Sequence, residues 1–139
     1  MSEPFEILEH TADIGFRAWG ATAEELFANA AKAMMSIATD TETVRAAGEI
    51  SVEVAGTDYA DLLVNWLSEV LYLFDSCRFT PKEFRIEAME PTRLRATLRG
   101  EPRDEARHAW KLIIKAVTYH ELEVAERNGR WEARVYLDI

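Results

Sequence analysis

From Tyr59 to Ser76 the chain is apolar around most of the circumference of a helix, and no other stretch limits the fold as strongly. Leu62, Leu63, Trp66, Leu67, Val70, Leu71, Leu73 and Phe74 leave only a thin polar stripe of Asp61, Asn65, Ser68, Glu69 and Asp75. A helix with one wet face can rest on a single layer, but one this apolar has to be covered on more than one side. The segment is therefore expected between a sheet and a second helix, or at an oligomer contact. No apolar run approaches the roughly 20 residues that cross a bilayer, so no membrane partner is expected.

The rest of the chain supplies the covering layers. Thr22 caps a second helix, with Glu25 at the capping-box position, and Leu26, Ala30, Met34 and Ile37 recur on one face before the helix ends near Thr39. Period-two alternation marks strands around Ile14–Ala18, Ile50–Val54, Phe84–Ala88, Leu94–Leu98 and His120–Val124. Asn128-Gly129 is a two-residue hairpin turn leading into Trp131–Ile139. Residues 104–117 fit both periods, and the reading leans to a helical start running into an extended segment.

The order of these elements is nested. Residues about 48–100 read strand, helix, strand, strand, and with that unit removed the flanking segments read the same way. Hairpins with two long helices give an α+β class, with antiparallel sheets packed against the helices. At 139 residues the chain is expected to form one domain, 1–139, with the inner unit inserted in the outer one. Nesting also brings the segments near residues 13 and 138 into one module as neighbouring strands.

That neighbourhood holds the best candidate chemistry. Asp13 and Asp138 each sit at the tip of a strand-like run, and Asp138 precedes the terminal carboxylate of Ile139. Three convergent hard oxygen groups would begin a site for a divalent cation such as Ca²⁺ or Mg²⁺. The alternative is an Asx-turn at Asp13 and a solvated Asp138. His10, three residues before Asp13 in the same stretch, is either an acid–base partner or a packed residue, and His108 and His120 are scattered. Cys77, the single cysteine, excludes an internal disulfide and a cysteine metal cluster and reads as inert. A net charge of −9 disfavours high-affinity nucleic-acid binding and suits a cation or a basic partner. Arg93, Arg95 and Arg99 line one strand face, either as a docking stripe for RNA phosphates or an acidic protein surface, or as a solvated face balanced by Glu87, Glu101 and Glu105. The Met1-Ser2-Glu3-Pro4 start carries no signal pattern, so a cytoplasmic location is expected.

Three stretches together resemble the archease family: His10-Thr11-Ala12-Asp13-Ile14-Gly15, Lys115-Ala116-Val117-Thr118-Tyr119-His120 and Leu137-Asp138-Ile139. The resemblance implies an accessory protein with no catalytic residues of its own. Its partner would be an RtcB-type RNA ligase, whose guanylylation and multiple turnover in tRNA splicing and RNA repair it promotes. It also implies an alternative, a chaperone-like modulation of a tRNA cytosine methyltransferase. The family's metal ligands carry over to Asp13, Asp138 and Ile139, with Ca²⁺ as the expected ion.

Overall fold

The structure is a computed structural model and describes residues 4–9 and 13–139. Strands β1 (Phe5–Glu9) and β2 (Asp13–Gly20) lead into helix α1 (Ala23–Ala38), and β3 (Gly48–Ala55) leads into helix α2 (Tyr59–Asp75). Then come β4 (Phe79–Glu90), β5 (Arg93–Pro102), the short β6 (Ala116–Val117), β7 (Glu123–Arg127) and β8 (Arg130–Asp138). The mixed antiparallel architecture is the expected α+β class, and the nesting is visible in the pairing. β3 and β4 both pair with β5, while β2 and β7 both pair with β8. In each module the last strand is the central one.

The two modules also repeat in detail, a similarity the strand-and-helix pattern alone does not reveal. Gly20-Ala21-Thr22 enters α1 and Gly56-Thr57-Asp58 enters α2. The Thr22 hydroxyl accepts from the Glu25 N–H, and the Asp58 carboxylate accepts from the Asp61 N–H, so both helices carry an N-cap at the same place. The Asn29 amide donates to the Trp19 carbonyl and the Asn65 amide to the Ala55 carbonyl, each tying a helix back to the strand before it. A Cβ on Gly20 would lie 2.6 Å from the Leu26 nitrogen, and one on Gly56 2.6 Å from the Leu62 nitrogen. Only glycine lets strand and helix approach this closely at either corner.

The core lies between the helices and the inner sheet faces. α1 contributes Leu26, Phe27, Met34 and Met35, and α2 contributes Leu62, Leu63, Trp66 and Leu67, all fully buried. The Trp66 indole N–H donates to the Phe27 carbonyl at 2.9 Å, fixing one helix on the other. α2 is thus covered on several sides by its own chain, as its sequence requires, and Tyr72 is its one exposed large apolar side chain among the described residues.

Residues 104–115 correct the helical expectation. The His108 N–H reaches the Asp104 carbonyl, and a single turn forms. Propagation then stops because the chain is captured by the end of α1. The Thr39 hydroxyl donates to the Ala109 carbonyl, Thr39 bridges to Trp110, and the Lys111 N–H donates to the Ala38 carbonyl. The long-range partners give this stretch more than the helical spacing of Ala106, Trp110 and Ile113 would. β1 also escapes the sequence reading, being short and formed by pairing with the adjacent β2, while the two-residue β6 is the extended end expected of residues 104–117.

Candidate functional site

β8 runs between β2 and β6, so the end of the chain is flanked by the two other signature stretches. Asp138 is the register partner of Asp13 on one side and of Ala116 on the other. The Lys115 N–H donates to the Asp138 carbonyl at 2.7 Å, and the Thr118 N–H and hydroxyl both donate to the Tyr136 carbonyl, at 3.1 and 2.9 Å. Ile14, Val117 and Leu137 point inward to the core, so Asp13 and Asp138 share the opposite, outer face. The expected meeting of the two aspartates is therefore present as a cross-strand pair.

Two carboxylates directly opposite each other on a sheet repel, and such pairs destabilise the ladder. A hard cation removes that repulsion, and oxygen donors are what Ca²⁺ and Mg²⁺ prefer. The donor set therefore fits a divalent ion chemically. It is small, however: among the described residues no cluster of three or more His, Cys, Asp or Glu side chains stands ready to hold a metal. Two carboxylates leave most of an ion's positions to main-chain or terminal oxygens, water or a partner. His10, Thr11 and Ala12 lie outside the described residues.

The surroundings of the pair are built by close approach. A Cβ on Gly15 would sit 2.7 Å from the Tyr136 ring, so glycine lets that ring lie down across the strand. The His120 ring packs edge-on against Tyr136, with centroids 5.8 Å apart. The exposed Tyr119 hydroxyl donates to Asp61 at 2.6 Å, latching the segment after β6 to the start of α2. That bond holds the Asp61 carboxyl below and the Tyr119 phenol above their ordinary values.

Other candidates resolve into structural roles. His108 is buried, its Nδ1 accepts from the Asp104 N–H, and its Nε2 faces Glu101 at 2.9 Å. Glu101 also takes a two-pronged contact from Arg107, at 2.9 Å for both oxygens, and the Arg45 N–H at 2.8 Å. The Arg107 guanidinium, then the Arg45 amide, hold the Glu101 carboxyl well below the usual carboxylate range. Cys77 is an exposed free thiol. The arginine stripe is met by carboxylates in register: Arg99 stands between Glu49 and Glu83, Arg95 opposite Glu53 and Arg93 opposite Glu90. The balanced-face reading therefore fits, through strand partners rather than the glutamates nearest in sequence.

Comparisons with known proteins agree with this geometry. The model of the Archease protein family matches residues 5–139. Archease of Methanosarcina mazei is 44% identical over 140 residues, covering 97% of this chain and 95% of its own. That of Methanopyrus kandleri is 37% identical, covering 98% and 99%. The solution structure of Methanobacterium thermoautotrophicum protein 1598 superposes with a TM-score of 0.86 at 37% identity, covering 99% of this chain and all of that one. A Thermotoga maritima archease described as a possible chaperone shares the fold, with a TM-score of 0.65 at 23% identity, covering 100% and 98%. A match along almost the whole chain, with the three signature stretches side by side around β8, makes this chain a member of the archease family.

Proposed function

We propose that the chain is an accessory protein of an RtcB-type RNA ligase, promoting guanylylation and multiple turnover in tRNA splicing and RNA repair. The observation that carries this reading is the placement of Asp13 and Asp138 in register on the outer face, beside the third signature stretch. Asp13, Asp138 and Ile139 are the residues that would hold a divalent cation, Ca²⁺ in the first instance. A bound ion there supplies charge neutralisation and free coordination positions for phosphate oxygens. The chain's own contribution is to fix the two carboxylates on a rigid central strand and to brace that strand from both sides.

A chaperone-like action on a tRNA cytosine methyltransferase would call on a broad exposed apolar face. The one helix apolar enough for that role, α2, spends its surface on the core, so the ligase reading is preferred. The test is multiple-turnover RNA ligation by an RtcB-type ligase with this protein added, with and without a Ca²⁺-selective chelator. Stimulation is expected to disappear with chelator and in the Asp13→Ala/Asp138→Ala protein. Full stimulation by that folded double variant would sink the metal-surface reading.

A further inference from the structure

A cleft of about 830 Å³, whose lining takes in Ile14 but neither aspartate, is lined by three of the chain's four lysines. Lys32 comes from α1, Lys82 from β4, and Lys111 from the segment that crosses the end of α1. Phe5, Ile7, Ile14, Phe84 and Leu112 form its apolar surface. Such a concentration is unexpected in a protein of net charge −9, where acids outnumber bases 25 to 16.

The lysine charges are not spent within the fold. Lys82 donates to the Thr41 carbonyl at 3.1 Å and Lys111 to the Ser36 carbonyl at 2.8 Å, both neutral acceptors. None of the three forms an ion pair among the described residues. Glu83, the one acid on the rim among the described residues, sits 3.8 Å from Arg99 of the neighbouring strand. A cleft with an apolar floor and three unbalanced cations attracts a group that is both apolar and anionic.

Its walls indicate the shape of that group. β1 and β4 are each the outermost strand of a sheet. β4 is protected against further pairing by Pro81 and by the register shift at Lys82. β1, Phe5-Glu6-Ile7-Leu8-Glu9, has no proline, no lysine and no shift, and pairs only with β2 among the described residues. An unprotected edge offers main-chain donors and acceptors to an extended peptide, and alternate side chains of that peptide then enter the adjoining pocket.

We propose that this cleft receives an extended acidic and apolar segment of a partner protein. The segment adds along β1, sets an apolar side chain against Ile7, Phe84 and Leu112, and brings carboxylates to Lys32, Lys82 and Lys111. This inference stands apart from the ligase reading, because it uses neither Asp13 nor Asp138.

The experiment is a selection of random linear heptapeptides displayed against the full chain, run in chelator so that no metal at the aspartate pair contributes. The expected result is enrichment of peptides alternating acidic and apolar residues. A synthetic copy measured by fluorescence anisotropy should bind at least tenfold more weakly to Lys32→Glu and to Ile7→Asp proteins, and no differently to Arg93→Glu. Lys32 is exposed and makes no bond the fold depends on, so that variant keeps its structure. Replacing the peptide's acids by lysine should restore binding to Lys32→Glu. Four results would each overturn the proposal: no consensus, a basic consensus, equal binding to Lys32→Glu, or binding of laurate with no peptide binding. Concentration-dependent self-association abolished by Lys32→Glu, without peptide binding, would assign the cleft to a second copy and overturn it equally.

Discussion

The two modules share one plan and differ on their outer sheet faces. On the three-stranded sheet, charges meet their opposites across the ladder: Arg99 with Glu49 and Glu83, Arg95 with Glu53, Arg93 with Glu90. On the five-stranded sheet, Glu6 faces Arg17 but Asp13 faces Asp138. Opposite pairs contribute a few tenths of a kcal/mol each and need no ligand, whereas a like pair is a standing cost of similar size. The entrances to the helices match between modules, with the same glycine, cap and asparagine tie. The plan is therefore common to both units, and the register pair of two carboxylates belongs to one. Opposite charges that meet across the ladder need nothing further, and two carboxylates that meet give an added cation something to gain.

The largest expected effect tests that contrast directly. Ca²⁺ at a hundredfold over its dissociation constant stabilises a binding protein by about 2.7 kcal/mol, which for a chain of this size raises Tm by roughly 5–10 °C. Scanning fluorimetry should show this shift in the natural protein and in Glu49→Ala and Glu83→Ala variants, but not in Asp13→Ala or Asp138→Ala. If the shift survives both aspartate changes, the like-charged pair is not the cation site and the comparison between the faces fails.

A second effect concerns how the modules are joined. Glu101, at the end of β5 in the inner module, is held by Arg107 and the Arg45 N–H and faces His108, in segments leading back to the outer one. Its folded carboxyl lies below its unfolded value of roughly 4.3–4.5. The stabilisation is therefore complete above that unfolded value and is lost as pH falls below it toward the folded one. Denaturant unfolding followed from pH 7 to pH 3 should show stability declining below about pH 4.5. Glu101→Gln should be weaker at neutral pH and flatter on the acid side. An unchanged acid slope in that variant would mean that other carboxylates carry the decline.

What could be read in advance divides along physical lines. α1, α2 and the longer strands carry their own period, so Leu26–Ile37, Leu62–Phe74 and Trp131–Leu137 announced themselves. β1 and the single turn at 104–108 did not: β1 is too short to show a period, and the stretch after the turn takes its form from a partner far along the chain, as Lys111 does from Ala38. The Gly20/Gly56 and Asn29/Asn65 repeat was present in the sequence but masked by the insertion of one unit inside the other. Asp13 and Asp138 were legible as a pair only through the nesting. The lysine cleft was not legible at all: Lys32, Lys82 and Lys111 share no local pattern, and only the packing of two sheet edges over α1 gathers them.

The smallest expected effect is the most discriminating between stability and function. Asp138→Arg converts the repelling pair into an opposite pair like those on the other sheet. Position 138 is exposed and Asp13 is only half-buried, so a longer side chain has room there. If the outer face of β8 obeys the same cross-strand rule as that of β5, the metal-free variant should be more stable than the natural protein by about 0.2–1 kcal/mol. High salt should shrink that gain, since an exposed pair is screened. The same variant should show no Ca²⁺-dependent rise in Tm. A variant that is less stable without metal would mean that Asp138 has a structural role, and the register pair of carboxylates would lose its meaning as a binding signal. A gain in stability together with loss of the Ca²⁺ response would locate the functional cost of this fold at one register pair, Asp13 and Asp138.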